Sequence, residues 1–234
     1  MVWIWITIII ILAALLYWGY KQFENYILNE DPTFWEREIS RIEKRYEDEY
    51  PQGVVVGYGS SSIRFWKSIA EDLAPIPVVN HGFGGSKLPD ATYYIERLVL
   101  PFSPRAVLLF SGTNDLSLTK GGSKTGEDVF QDFVDFINKL KNSIPEIHLF
   151  YITITPTRAR WSIWHEAKKA NQLIEDFAAE DDIITIIDPT DAFLGPDGLP
   201  RKDYFRFDRL HPNKKGYEVW TSIIRPVLMA TLDY

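Results

Sequence analysis

The sequence contains no cysteine among its 234 residues. This absence excludes disulfide bonds, metal sites built on thiolates and a cysteine nucleophile. Basic residues are outnumbered, because 25 Lys and Arg stand against 32 Asp and Glu, for a formal net charge of −7. We therefore do not expect nucleic acid as a partner, since phosphate backbones are bound by clusters of Lys and Arg. The 46% of hydrophobic residues and 24% of charged residues are typical of a globular protein.

Charge is also absent from the N-terminal segment, which has no Asp, Glu, Lys, Arg or His from Val2 to Tyr20. About 19 residues at roughly 1.5 Å each match the hydrocarbon thickness of a bilayer. Aromatic residues stand near both ends of the run, where interfacial belts are expected: Trp3, Trp5, Tyr17, Trp18 and Tyr20. We predict that residues 1–20 form an uncleaved transmembrane anchor. The alternatives are a cleaved signal peptide, which usually has a basic start and a small-residue cleavage site, and a buried helix.

The anchor makes the protein a predicted single-pass membrane protein, and two orientations stay open. Lys21 follows the apolar run and no basic residue precedes it, which favours a cytoplasmic domain by the positive-inside rule. The opposite orientation is favoured by analogy, because esterases of cell envelopes more often face outward.

Residues 21–52 are polar and charged, and we predict that they form a juxtamembrane helical linker. Asp31 precedes Pro32, the usual combination of an N-cap with proline at the first helical position. Apolar residues then recur at helical spacing: Trp35, Ile39, Ile42 and Tyr46. This stripe is expected to pack on the following domain; a coiled coil is the alternative, although the stripe is short.

From residue 53 to residue 234 the pattern alternates between short β-branched runs and longer segments of helical periodicity. Strands are predicted at 54–58, 77–80, 106–111, 148–155 and 183–188, and helices at about 62–73, 88–100, 126–142, 163–180 and 213–232. Such alternation predicts an α/β domain, a parallel sheet with helices on both faces.

Polar residues cluster where the predicted strands end. Gly59-Ser60-Ser61-Ser62 follows the first strand, the glycine-rich residues 80–86 follow the second, and residues 111–116 follow the third. Asp208 and His211 stand just before the last helix. Ligands of open α/β sheets bind beyond the carboxyl ends of the strands. A serine, a histidine, an aspartate and amide donors at one such edge are the groups needed for acyl transfer through a serine nucleophile.

Each of these groups also has a structural interpretation when taken alone. Serines at a strand–helix junction are often N-caps, and a histidine before a proline is often a turn residue. Gly84 and Gly85 could form a tight turn or bring a backbone N–H close to a substrate oxygen, and Asn114 could form an Asx turn or donate to an oxyanion. Their joint occurrence in this order favours the catalytic interpretation.

Four sequence blocks resemble those of the SGNH (GDSL-like) hydrolases, over about residues 52–232. They are GSSSIRFW at 59–66, NHGFGGS at 80–86, GTND at 112–115 and DRLH at 208–211. The first block has serine where the family usually has the aspartate of Gly-Asp-Ser. The resemblance implies a three-layer α/β/α, flavodoxin-like fold with a five-stranded parallel sheet. Within the family, the blocks look closest to the branch of platelet-activating-factor acetylhydrolase-like subunits and bacterial esterases.

The resemblance also implies roles. Ser61 would be the nucleophile, with Ser62 as the alternative register, His211 the general base and Asp208 its orienting carboxylate. The oxyanion hole would be formed by Ser61, Gly85 and Asn114. No cofactor and no metal are implied, and the remaining histidines fall on separate predicted elements: His81, His148 and His165.

These features predict a membrane-anchored serine esterase that hydrolyses a carboxylic ester, with a short acyl group such as acetyl on a sugar or lipid as the expected substrate. Aromatic residues near the blocks could line its pocket or belong to the core: Phe65, Trp66 and Phe83. The alternatives are a lysophospholipase or thioesterase for longer acyl chains, and an inactive binding module with the same fold. The Gly-x-Ser-x-Gly elbow of α/β-hydrolases is absent, which disfavours that fold.

Overall fold

A computed structural model describes residues 2–46, 49–116 and 124–234. These residues contain a parallel sheet with strand order β2-β1-β3-β4-β5. Its strands are β1 (Val55–Gly59), β2 (Val78–Gly82), β3 (Ala106–Phe110), β4 (His148–Ile152) and β5 (Ile184–Ile187). The predicted flavodoxin-like sheet is therefore confirmed. Because Gly59 pairs with both Gly82 and Phe110, the first three strands end at the same level.

Helices cover both faces of the sheet. In chain order, the helices of the described residues are α1 (Val2–Leu28), which stands apart from the sheet, α2 (Glu36–Glu43), α3 (Ser61–Phe65), α4 (Ile69–Asp72), α5 (Leu88–Tyr93), α6 (Ile95–Leu98), α7 (Gly126–Ser143), α8 (Trp164–Ala178), α9 (Thr190–Phe193) and α10 (Lys214–Thr231). Short 3₁₀ turns lie at Pro32–Trp35, Lys44–Tyr46, Leu100–Phe102, Arg158–Ile163 and Lys202–Tyr204.

The core is divided by the sheet, because successive side chains of a strand point to opposite faces. Val56 and Tyr58 of β1 pack with α2, α5, α6, α7 and α8. Val55 of β1 and Leu108 of β3 pack on the other face with α3, α4 and α10. Burial on both faces explains why the strands read as continuous β-branched and aromatic runs.

The predicted helices at 62–73 and 88–100 are each broken in two. The first break has a clear cause: Asn80 of β2 donates its Nδ2 hydrogens to the carbonyl oxygens of Ile63 (2.7 Å) and Trp66 (2.9 Å). These carbonyls are satisfied by a side chain from a neighbouring strand, so α3 ends at Phe65 instead of continuing.

The N-terminal helix α1 extends eight residues beyond the predicted end of the anchor. Its segment Trp3–Gln22 has a mean hydropathy of 2.0 and none of it is buried, so the buried-helix alternative does not hold. Among the described residues, this is the one helix that is long and apolar enough to span a membrane. A signal sequence would have the same length and composition. Of the predicted anchor (1–20) and linker (21–52), residues 1 and 47–48 lie outside the described residues.

The apolar stripe that follows α1 packs into the domain, as predicted. Trp35, Ile39 and Ile42 are buried in the same core as β1. Arg97 of α6 makes ion pairs with Glu36 (2.7 Å) and Glu43 (2.6 Å) on the outer face of α2. The stripe is therefore covered by the domain, which leaves no apolar face for the coiled-coil alternative.

Candidate active site

Ser61 lies at the sharp turn between β1 and α3. Gly59, the last residue of β1, has a φ of 115°, and a Cβ there would lie 2.2 Å from the carbonyl oxygen of Phe110. Only glycine fits this close approach. Ser60 donates its backbone N–H to the same oxygen (3.0 Å), and the first helical residue is then Ser61, at the carboxyl edge of the sheet.

The structure brings Ser61, His211 and Asp208 together in one chain of hydrogen bonds. The Ser61 Oγ lies 2.7 Å from His211 Nε2, and His211 Nδ1 lies 2.7 Å from Asp208 Oδ2. The adjacent Ser60 and Ser62 are buried, and within the described ranges neither of their hydroxyls bonds to His211. Of the serine triplet, Ser61 is therefore the residue placed against the imidazole.

The loop before α10 fixes the Asp208 carboxylate. Asp208 Oδ1 accepts the backbone N–H groups of Leu210 (2.9 Å) and His211 (3.0 Å). Burial acts to raise the pKa of Asp208, but the hydrogen bonds from the His211 side chain and from these two N–H groups outweigh it, so the pKa is lowered. The carboxylate is thus ionised at neutral pH, facing the imidazole. On another side, the Phe65 ring packs edge-on against His211, with centroids 4.9 Å apart.

Asn114 and Gly85 lie on loops that are hydrogen-bonded to each other. Asn114 donates one Nδ2 hydrogen to the carbonyl oxygen of Ser86 (3.0 Å), which leaves its second hydrogen for another acceptor. Gly85 has a φ of 78°, a conformation that suits glycine. Within the described part of the chain, the backbone N–H groups of Ser61 and Gly85 donate to no protein acceptor. These three groups have the donor capacity that an oxyanion hole requires.

Arg160 is a residue of this site that the sequence analysis missed. Its Nη2 donates to Asn114 Oδ1 (2.8 Å), which fixes which side of the amide presents the N–H₂ group. The Nη1 atom is buried without a protein partner in the described residues. Burial lowers the pKa of Arg160 to about 10, and the carboxylate of Asp115 opposes this shift. The available signal was its position just after β4, at the same edge of the sheet as the sequence blocks.

Asp115 of the third block has a structural contact that the sequence analysis also did not predict. Its buried carboxylate accepts the backbone N–H of Leu88, at 3.2 and 3.3 Å from its two oxygens. Burial raises the pKa of this group, and Lys124, 4.0 Å away, opposes the shift. Asp115 thereby joins the loop of Asn114 to the start of α5, next to the loop of Gly85.

The other histidines lie away from this cluster. His81 on β2 is buried between the carbonyl oxygen of Leu98 and the hydroxyl of Tyr46. His148 contacts Thr185, and His165 is exposed on α8. Over the described ranges, no three or more His, Asp or Glu side chains form a group that could hold a metal ion.

Of the three aromatic residues considered for a pocket, two belong to the core. Trp66 and Phe83 are fully buried, on opposite faces of the sheet. Phe65 alone is half-buried at the site, where it contacts His211.

Comparison with known proteins identifies the family and the fold. Residues 48–219 match the model of the GDSL-like lipase/acylhydrolase family. A Streptococcus pneumonia protein named for platelet activating factor superimposes with a TM-score of 0.74, at 16% identity over 90% of this chain and 98% of its own. A Bacteroides fragilis protein named as an acylhydrolase gives a TM-score of 0.72, at 20% identity over 87% and 100% of the two chains.

A carbohydrate esterase family 3 protein from Talaromyces cellulolyticus gives a TM-score of 0.57, at 19% identity over 77% of this chain and 98% of its own. At these identities the likeness shows a shared fold. No curated protein sequence matches the chain significantly. The family match covers most of the chain, and the protein therefore belongs to the GDSL-like lipase/acylhydrolase family and is a hydrolase that acts on ester bonds.

Proposed function

We propose that the protein is a membrane-anchored serine esterase in which Ser61, His211 and Asp208 form the catalytic triad. The observation that supports this most is the continuous chain of two 2.7 Å contacts from the Ser61 hydroxyl through the imidazole to the Asp208 carboxylate. A serine hydroxyl is a weak nucleophile unless a base removes its proton, and the imidazole Nε2 is within reach to do so.

The proposed reaction has two half-reactions. Ser61 Oγ attacks the ester carbonyl carbon while its proton passes to His211 Nε2. The tetrahedral intermediate then breaks its bond to the alcohol oxygen, which receives that proton and leaves as the free alcohol. Water, deprotonated by the same nitrogen, attacks the acyl group on Ser61, and the acid is released as the serine regains its proton.

Asp208 sets the tautomer that this scheme requires. An ionised carboxylate at Nδ1 holds the ring proton there, so that Nε2 faces Ser61 as an acceptor. The carboxylate then stabilises the imidazolium that forms when the proton is transferred. The lowered pKa of Asp208 keeps it ionised during these steps.

The developing oxyanion would be held by the backbone N–H groups of Ser61 and Gly85 and by the side chain of Asn114. These donors interact more strongly with the charged intermediate than with the neutral ester, which is how they lower the barrier. Arg160 would act as a positioning residue, because its bond to Asn114 Oδ1 keeps the amide nitrogen turned toward Ser86 and the site.

The position of α1 supports an enzyme that works close to a membrane. Lys87 donates from Nζ to the carbonyl oxygen of Asn29 (3.1 Å), one residue after α1 ends at Leu28. Lys87 directly follows Ser86 of the proposed oxyanion loop. The C-terminal end of α1 thus lies near the same edge of the domain as Ser61. The anchor spans residues 1–20, residues 21–52 connect it, and residues 53–234 form the hydrolase domain in this proposal.

The proposed substrate is a short acyl ester, such as an acetyl group on a sugar or lipid. The fold relatives named for carbohydrate esters and for platelet activating factor support these two substrate types. The test is hydrolysis of p-nitrophenyl esters with acyl chains of two to twelve carbons by the full-length protein in detergent, together with labelling by a fluorophosphonate.

We expect labelling and the highest kcat/KM with the two-carbon ester. A maximum at eight to twelve carbons would instead support the lysophospholipase or thioesterase alternative. A folded protein with neither hydrolysis nor labelling would support the inactive binding module.

A further inference from the structure

A pocket of about 450 Å³ adjoins the candidate active site and is lined mainly by cations. We call it the basic pocket, formed by Arg158, Lys202, Phe205, Arg206, Phe207 and Arg209. Five of these residues lie on the loop before α10 that also carries Asp208 and His211. Arg158 follows β4, and the two segments are joined by a hydrogen bond from Ala159 N–H to the carbonyl oxygen of Arg209 (3.2 Å). Four cations in one pocket stand out in a chain with a net charge of −7.

Two guanidinium groups of the basic pocket are oriented by backbone carbonyls. Arg158 donates from Nε to the carbonyl oxygen of Pro200 (2.6 Å), and Arg206 from Nε to that of Pro212 (3.2 Å). A hydrogen bond to a neutral carbonyl fixes the plane of the guanidinium group without neutralising its positive charge. The Nη hydrogens then remain available for the two oxygens of a phosphate or carboxylate, the geometry that arginine recognises best.

The nearby carboxylates leave most of this charge uncompensated. Asp208 uses both oxygens within its own loop, on His211 and Leu210. Asp203 pairs with Arg201, outside the pocket lining, at 3.2 Å. Asp197 is exposed, accepts the backbone N–H of Leu199 (3.1 Å), and lies 3.9 Å from Arg158. Within the described ranges, no carboxylate lies within ion-pair distance of the other three cations: Lys202, Arg206 and Arg209.

One cation of the basic pocket, Arg206, lies close to His211. The Arg206 guanidinium carbon lies 4.5 Å from the centre of the Phe65 ring. That ring packs edge-on against the imidazole of His211, with centroids 4.9 Å apart. A single aromatic ring therefore separates the guanidinium from the proposed general base.

We infer that the basic pocket binds an anionic group of the substrate, a phosphate or a carboxylate, and that the enzyme prefers esters that carry such a group near the scissile bond. The inference rests on the proposed function, because it deepens the substrate class of the same site. The binding step itself is electrostatic and requires no further reactant.

The test compares three acetate esters of a phenol: neutral phenyl acetate, 4-acetoxybenzoate and 4-acetoxyphenyl phosphate. The measured quantity is the ratio of kcat/KM for each anionic ester to that for phenyl acetate, in the full-length protein in detergent. We expect the double variant Lys202→Gln/Arg209→Gln to lower this ratio by about tenfold or more, since charge-assisted hydrogen bonds are lost. Comparison of the two anionic esters distinguishes phosphate from carboxylate.

The matched control is Arg225→Gln, which removes one exposed positive charge from the far part of α10. This variant should leave the ratio as in the wild type, which separates a local effect from a change in net charge. A ratio that does not fall in the double variant overturns the inference. So does a double variant that loses binding to phosphatidylglycerol vesicles while keeping the wild-type ratio, because the pocket would then contact the bilayer and not the substrate.

A second measurement keeps the inference separate from the proposed function. Binding of inorganic phosphate is measured by calorimetry in Ser61→Ala, with and without Lys202→Gln/Arg209→Gln. Binding that is lost only with the two pocket substitutions supports the basic pocket, even for a protein without esterase activity. Equal binding, or none in either protein, contradicts it. Failure of the proposed function has a different signature: no hydrolysis of any of the three esters and no fluorophosphonate labelling of the wild type.

Discussion

Two histidines, one on β2 and one before α10, each have a hydrogen-bond partner at both ring nitrogens but lie in opposite surroundings. His81 lies between the Leu98 carbonyl (2.6 Å) and the Tyr46 hydroxyl (3.1 Å). It is fully buried, and burial lowers its pKa to about 4. His211 lies at the sheet edge between Asp208 and Ser61, both at 2.7 Å. Both imidazoles face a hydroxyl, so the ionised carboxylate on the other ring nitrogen and the location at the sheet edge, rather than hydrogen bonding as such, distinguish the candidate base from the structural histidine.

The largest effect is expected from the substitution that removes the hydroxyl next to His211. Ser61→Ala should abolish ester hydrolysis and fluorophosphonate labelling, with a loss of turnover on the order of 10⁶. Ser62→Ala is the matched control, because its hydroxyl is one residue away, buried and not bonded to His211. Labelling that persists in Ser61→Ala and disappears in Ser62→Ala would transfer the nucleophile to Ser62. Circular dichroism should show that both variants are folded.

The next largest effect is expected from the substitution that removes the negative charge beside His211, a charge that His81 lacks. Asp208→Asn preserves the size of the side chain but presents an amide to Nδ1, which favours the wrong imidazole tautomer. We expect turnover to fall by up to about 10⁴, as for the corresponding change in serine proteases. Asp203→Asn is the control, since this exposed carboxylate pairs with Arg201 in the same loop. A similar loss in both variants would indicate that the loop is disturbed and not that the tautomer is changed.

A smaller effect is expected from the oxyanion donors. Asn114→Ala should lower kcat by roughly 10²–10³ with little change in KM, because the donor acts mainly on the charge that develops in the transition state. Unchanged turnover with a lower melting temperature would make Asn114 a structural turn residue.

Arg160 should affect turnover through Asn114. Arg160→Met removes the donor to Asn114 Oδ1 (2.8 Å), and we expect kcat to fall by about tenfold, the value of one hydrogen bond to a charged donor. Arg160→Lys retains a cationic donor and should restore part of the loss. In the Asn114→Ala background, Arg160→Met should add little, because its partner is already missing. Additive losses would show that Arg160 acts independently of Asn114.

The sequence predicts the parallel sheet and the local contacts of the site, but not the contacts between residues that are distant along the chain. The five β-branched runs predict the sheet because burial on both faces requires apolar side chains along each strand. The spacing of Asp208 and His211 is local, and a single turn brings them together. The contact of Arg160 with Asn114 joins residues 46 positions apart, and the capping of α3 by Asn80 depends on the neighbouring strand. Local patterns do not encode such contacts, since they form only when the sheet assembles.

The last prediction concerns His81 and the pH dependence of stability. In the folded protein its pKa is lowered to about 4, whereas an unfolded histidine has its ordinary value of about 6.5. Between these values the unfolded chain binds more protons than the folded one, so the free energy of unfolding contributed by this group is complete above about pH 6.5 and is lost as the pH falls toward 4. The difference corresponds to about 3 kcal/mol.

Urea unfolding at pH 7.5 and pH 4.5 measures this loss of the free energy of unfolding. His81→Gln, which does not titrate in this range, should be less stable at pH 7.5 but should lose less stability on acidification than the wild type. If His81→Gln keeps the full pH dependence, other groups are responsible, and burial of His81 does not separate the two histidines in the way inferred above.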